Sequence, residues 1–224
     1  MNQYEANAMK KRFLVSLAGL LTVAFLLGCN HDSEHYNRPP TIIVSTILSD
    51  ASADGDISYT PPSTFTISSA LTSLNVLAGV DPTSLDEYRG FLDFPLGGSG
   101  GVPLDATIVS ATIEIVINSV TVTAFDDTVP MILDLVSFQP PSLIGSDFDR
   151  SIQPPLLSDS FTFFTSDAGR SVSIDITPFM VEAQREGLPD LQVRLLLDFS
   201  ATTGLIEIDD NAAASAPLLM VEYY

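Results

Sequence analysis

Hydrophobic and polar positions along this chain of 224 residues change rhythm near Pro40. Before it, Phe13 to Gly28 is a mostly apolar run without a charge. Beyond it, short runs rich in Val, Ile, Thr and Phe alternate with clusters of Gly, Pro, Asp and Ser. The pattern predicts strands over 41–48, 63–68, 88–96, 106–125, 130–138, 159–166, 170–177, 191–199, 204–209 and 216–224. Side chains of this kind suit a pleated, half-buried surface. In "ATIEIVI", Glu114 interrupts the apolar positions where a residue should face solvent. Many short strands with turn signals between them predict an antiparallel sandwich or barrel. The chain has no fixed-period repeat, which argues against a propeller or solenoid.

One segment breaks this rhythm. In "TPFMVEAQREG", Thr177 is a candidate N-cap and Pro178 suits the first helical position, where its missing N–H costs nothing. Phe179, Met180 and Ala183 can share a buried face. Gly187 suits a left-handed C-cap, and Pro189 prevents continuation. A single helix over 178–186 is therefore expected, covering one end of the β structure.

The N-terminus reads as an address. Lys10, Lys11 and Arg12 precede an apolar run too short for a comfortable membrane span of about 20 residues. Leu26-Leu27-Gly28-Cys29 resembles the lipobox of bacterial lipoproteins. The resemblance implies cleavage between Gly28 and Cys29 and acylation of Cys29, the only cysteine. It therefore implies an anchored protein, since two or more acyl chains hold stably where one does not. Residues 1–28 are then a signal peptide, 29–40 a tether with Pro39-Pro40 at its end, and 41–224 the folded domain. Asn30 after the cysteine, where Asp commonly retains lipoproteins at the inner membrane, implies the outer membrane or cell surface.

The body of the chain also has a family likeness. "EYRGFLDFPLGGSGGVPLDATIVSATIEI" (87–115), "VSIDITPFMVEAQREG" (172–187) and "PLLMVEYY" (217–224) resemble the strand and turn motifs of DNRLRE-type domains. That resemblance implies a carbohydrate-binding-module-like jelly roll. The fold expected is thus an all-β, jelly-roll-like antiparallel β-sandwich with one short helix. A structural or binding module of the cell envelope is expected from it, with carbohydrate binding as the alternative and a polysaccharide-active enzyme as a second.

Charge narrows the partners. The chain carries a net charge of −19, and loss of residues 1–28 would leave six arginines, no lysine and 27 acids, a net −21. Such a surface repels nucleic acid and anionic headgroups, so membrane attachment must come from the lipid. Solubility is the plain reading of this charge, and adaptation to saline water a sharper one. The partners expected are the membrane, through the lipid, and polysaccharide or another envelope protein.

Several motifs imitate catalytic ones. "HDSEH" (His31–His35) fits a zinc-hydrolase spacing but lies in the tether, and it holds the only histidines. "GGSGG" (Gly97–Gly101) fits a nucleophile elbow but lacks a following helix pattern and any later histidine. Asp126-Asp127 and Asp209-Asp210 are adjacent acids, which on a strand point to opposite faces. No catalytic residue is assigned. There is no Trp for a sugar platform; Tyr59 and Tyr88 could line a sheet face, with core or edge packing the plainer role. Arg89 and Arg194, inside strand-like runs, are expected to pair with carboxylates such as Asp93 or Asp198.

The remaining candidate is calcium. In "DASADGDISYTP" (50–61), Asp50, Ser52 and Asp54 occupy the first, third and fifth positions of an EF-hand-like loop, with Gly55 sixth. The twelfth position is Pro61 instead of a bidentate Glu, so the loop is not a true EF-hand. Asp50, Asp54 and Asp56 are the candidate ligands, with Asp209 or Asp210 able to join from a neighbouring strand. A solvated Asp-Gly turn is the plain alternative.

Overall fold

The computed structural model describes residues 39–137, 142–211 and 215–224. The expected signal peptide and residues 29–38 of the expected tether, including Gly28, Cys29 and His31–His35, lie outside them. Residues 41–224 form one compact unit. Its strands are β1 (Ile43–Leu48), β2 (Gly55–Thr60), β3 (Thr64–Ser69), β4 (Asn75–Val80), β5 (Glu87–Pro95) and β6 (Ile108–Thr121). There follow β7 (Thr128–Val136), β8 (Leu157–Phe164), β9 (Arg170–Asp175), β10 (Asp190–Leu197), β11 (Gly204–Asp209) and β12 (Leu218–Tyr223). A one-turn helix α1 (Ala70–Ser73) precedes β4, and helix α2 (Thr177–Glu186) joins β9 to β10.

All strand pairs are antiparallel, and their order is that of a rolled hairpin. β7 pairs with β8, β6 with β9, β5 with β10 and β4 with β11, each pair nested around the previous one. Cross-links between β10 and β7 and between β11 and β6 generate two four-stranded runs, β5-β10-β7-β8 and β4-β11-β6-β9. This is jelly-roll connectivity. The fourteen-residue β6 is long enough to take β12 along its first half and β11 along its second, on one edge. β1 extends the sheet beyond β12, and β2-β3 forms a hairpin on β5.

The core follows from alternation. In β6, Ala111, Ile113, Ile115 and Ile117 point inward while Glu114 is exposed. They meet Val129, Met131, Leu133 and Leu135 of β7 in one cluster, which α2 closes with Phe179, Met180 and Ala183. The helix starts with Ile176 as its N-cap, one residue before Thr177. The reason is local: Asp175 Oδ1 accepts both the Thr177 N–H and its hydroxyl, so Thr177 is already held inside the first turn. Gly187 closes it at φ 65°, as its lack of a Cβ allows.

Two strands escaped the sequence pattern. β2 begins at an Asp-Gly pair that reads as a turn, and Gly55 is needed there because a Cβ would lie 2.1 Å from the Ser68 carbonyl oxygen. β4, "NVLAGV", is short and carries Gly79 against the backbone of Gly204. β10 is buried on both faces. Its inner residues join the main core, while a second cluster of Ile57, Phe91 and Phe148 covers the outer face of neighbouring β5 and β2.

Candidate functional site

Two polar features stand out, on different parts of the sandwich. The first is built on that outer face. Arg194 of β10 is fully buried and lies in register with Asp134 of β7, also fully buried. Its guanidinium donates to Asp134 Oδ2 at 2.8 Å and to the carbonyls of Asp147 and Gln153 at 2.8 and 3.1 Å. Arg150 takes the same carboxylate from the other side, with Nε 2.9 Å from Oδ2 and Nη2 2.9 Å from Oδ1. Ser158 donates to Oδ1 at 2.6 Å. Burial pushes the Arg194 pKa down, while the Asp134 hydrogen bond and charge raise it. The partner of Arg194 is thus Asp134, and that of Arg89 is Glu87 at 2.8 Å; neither Asp93 nor Asp198 serves. Asp93 accepts from Gln192, and Asp198 from the Ser200 amide.

This network pins the segment after β7, and with it Phe148. Arg89 lies over the Phe148 ring, 4.0 Å from its centroid, and donates to the Phe148 carbonyl. Tyr59, Phe65 and Phe148 pack as a trio with centroids 5.1 to 5.9 Å apart. Arg150 sits 5.4 Å from the Phe199 ring centroid. Between these side chains runs an open groove of about 570 Å³, with Glu87 and Asp149 on its rim. Phe65 and Phe199 remain 47% and 70% exposed, so the groove presents aromatic faces to solvent. Of the two tyrosines named from sequence, Tyr59 lines this groove. Tyr88, next to groove-lining Arg89 on β5, belongs to the opposite face. Phe65, Phe148 and Phe199 were not singled out from sequence: Phe65 and Phe199 fall in strand-like runs, where phenylalanine reads as core, and Phe148 falls in the polar stretch "GSDFDR" outside any such run. A phenylalanine at a strand end or in a polar turn, as in "LDFSATTG", is the signal that could have marked Phe199.

The second feature is the acid-rich end that includes Asp50, Asp54 and Asp56. Asp50 closes a local turn, accepting from the Ser52 N–H at 2.9 Å and its hydroxyl at 2.6 Å. Asp56 is buried against β4 and accepts the Leu77 N–H at 3.3 Å; burial raises its pKa to about 6, against that hydrogen bond. Asp54 instead reaches β5, where its Oδ1 accepts the Asp93 N–H at 2.6 Å. The three carboxylates are thus directed to different partners. Among the described residues no three His, Cys, Asp or Glu side chains come together as a metal-ligand group.

Asp210 does join Asp54. It follows the last residue of β11 and is completely buried, whereas its neighbour Asp209 accepts from the Asn211 N–H and the Ser215 hydroxyl. Helix α1 sets both backbones: the Asp54 carbonyl accepts the Ala70 N–H at 3.1 Å, and the Asp210 N–H donates to the Leu74 carbonyl at 2.9 Å. The two carboxyls lie against each other and against the Ser49 hydroxyl at the end of β1. Burial is the largest cause raising both pKa values; the facing carboxylate adds to this for Asp54, whose Asp93 hydrogen bond works against it.

No protein-family model matches the chain, and no curated relative matches it either.

Proposed function

We propose that the chain is a lipid-anchored cell-envelope protein whose sandwich is a binding module, with a glycan chain as the ligand of the aromatic groove. The observation that carries the reading is the exposure of Phe65 and Phe199 in a groove that also holds Tyr59 and Arg89. Aromatic faces give a pyranose ring its apolar contact, and a few fixed polar groups set its orientation. The DNRLRE-like motifs and the lipobox support the same reading from sequence. A purely structural module is the alternative and needs no accessible aromatic face.

The test is affinity electrophoresis of the full chain, in non-ionic detergent, through gels containing soluble polysaccharides. Retardation by at least one polymer, lost in Phe65→Ala combined with Phe199→Ala, is the expected result. Migration unchanged in every gel, or retardation that survives the double substitution, would remove the groove as a glycan site.

A further inference from the structure

The acidic end of the sandwich contains four buried oxygen atoms that the fold leaves without hydrogen-bond partners: Ser49 Oγ, Asp54 Oδ2, and Asp210 Oδ1 and Oδ2. These are the only such side-chain atoms among the described residues, and all belong to one cluster. Asp54 is 1% exposed and Asp210 0%. An unpartnered buried carboxylate is costly, because it has lost water and gained nothing in return. Among the described residues, no ion pair brings a basic side chain to either aspartate.

We infer that Ser49, Asp54 and Asp210 hold a calcium ion. The donor set is all oxygen, with no nitrogen or sulfur, which selects a hard cation. Two carboxylates balance a divalent charge. A proton shared between the carboxyls, with the Ser49 hydroxyl turned to one of them, would still leave one negative charge buried without a counter-ion, whereas one central divalent cation engages all four oxygens and neutralises both carboxylates. Calcium accepts six to eight oxygens in flexible geometry, so waters or backbone carbonyls complete its shell. Magnesium dehydrates reluctantly and keeps several waters, which suits a site this enclosed less well.

The backbone is arranged for such an ion. Asp54 Oδ1 is fixed by the Asp93 amide, and the Asp50 N–H donates to the Asp93 carbonyl at 2.8 Å. The 49–54 turn is therefore stitched to β5 on both sides of Asp93. That leaves Asp54 Oδ2 turned toward Asp210. The ligands come from the end of β1, the approach to β2 and the exit of β11, so a bound ion ties three distant chain segments together. Relative to the sequence reading, Asp54 stays, Asp210 rather than Asp209 joins it, and Ser49 is added while Asp50 and Asp56 drop out.

The test uses the full chain in non-ionic detergent. Thermal melting is followed in chelator, in calcium and in magnesium at matched ionic strength, and bound calcium is counted by equilibrium dialysis. At a free concentration about 100 times Kd, calcium should raise the melting temperature by about 5–10 °C. Magnesium should not, and dialysis should give one bound ion. Asp210→Asn should abolish both responses, yet melt in chelator no lower than the parent, because it removes a buried charge. Phe199→Ala, in the groove, should keep both responses, so failure of the glycan reading would leave this one intact. No calcium response, an equal response to magnesium, or an undiminished response in Asp210→Asn would overturn the inference. If Asp210→Asn misfolds, Ser49→Ala must weaken calcium binding; unchanged binding there overturns it as well.

Discussion

Arg194 and Asp134 face each other across adjacent strands with neither side chain reaching solvent. A buried pair of this kind contributes little net stability over an apolar pair, but breaking it strands a charge. Asp134→Ala should therefore cost about 3–5 kcal/mol, because it removes the shared partner of Arg194 and Arg150. Arg194→Met, which removes the most deeply buried cation and keeps a long apolar side chain, should cost less. Urea unfolding of the two variants checks the order. Equal losses would mean that the Arg194 bonds to the Asp147 and Gln153 carbonyls matter as much as the ion pair.

Two glycine substitutions should separate steric from conformational cost. At Gly187 an added Cβ meets nothing within 4 Å, so Gly187→Ala should lose only the left-handed cap preference, about 1 kcal/mol. At Gly55 the Cβ would collide with the Ser68 carbonyl oxygen, which belongs to the paired strand β3. Gly55→Ala should cost clearly more, about 2 kcal/mol or above, and should also disturb Asp54 beside it. Unfolding midpoints at equal m-values give the comparison.

Much of the fold was legible from alternation alone, and the reasons for the failures are specific. β6 and β7 announce themselves because each buries one face and wets the other. β2 and β4 do not, because their glycines answer to neighbouring backbone and not to a turn. The candidate sites were harder. Asp54 could be picked out from its loop, and Asp209 or Asp210 named as able to join it, but the sequence could not choose between those two, because Asp210 lies more than 150 positions from Asp54 and is joined to it only by jelly-roll nesting. Asp50 and Asp56 are closer in sequence, yet Asp50 is engaged by its own turn at Ser52 and Asp56 by the Leu77 N–H of β4. Arg194 shows the same limit: its strand register, not its neighbours in sequence, chooses Asp134.

The groove makes a separate prediction about stability. Phe199 is largely exposed, so Phe199→Ala should change unfolding free energy by no more than about 0.5 kcal/mol. Phe148 is buried under Arg89 and against Ile57 and Phe91, so Phe148→Ala should cost about 3 kcal/mol or more. A Phe199→Ala variant as unstable as Phe148→Ala would show that this ring is structural, which would weaken its assignment to ligand binding.

The anchor can be tested apart from the fold. Cys29→Ser should abolish labelling with a fatty-acid analogue and leave an unprocessed or soluble precursor. Membrane association after a high-salt wash, with normal removal of the first 28 residues, would exclude lipidation as the anchor.

The metal-free protein should also respond to pH in a defined direction. In chelator, the groups that matter are Asp54 and Asp210, Asp93 on β5, Asp56 against β4, and the nearby Asp50 and Asp209. Burial raises Asp93 and Asp56 to about 6 from 3.8, and raises the Asp54–Asp210 pair in the same direction. A folded pKa above the unfolded value means that the folded state binds protons more tightly. The stabilisation is complete below the unfolded pKa of about 3.8 and is lost as pH rises through about 6 and beyond. Melting in chelator should thus fall between pH 5 and pH 8. Carboxylates with lowered pKa values, such as Asp175 and Asp198, act in the opposite sense but titrate below this window. Calcium competes with protons for the same oxygens, so its stabilising effect should grow over the interval in which the metal-free protein weakens. Melting scans at matched ionic strength, with and without calcium, measure both slopes. A chelated protein whose melting temperature rises from pH 5 to pH 8 would contradict the buried, uncompensated state of these carboxyls.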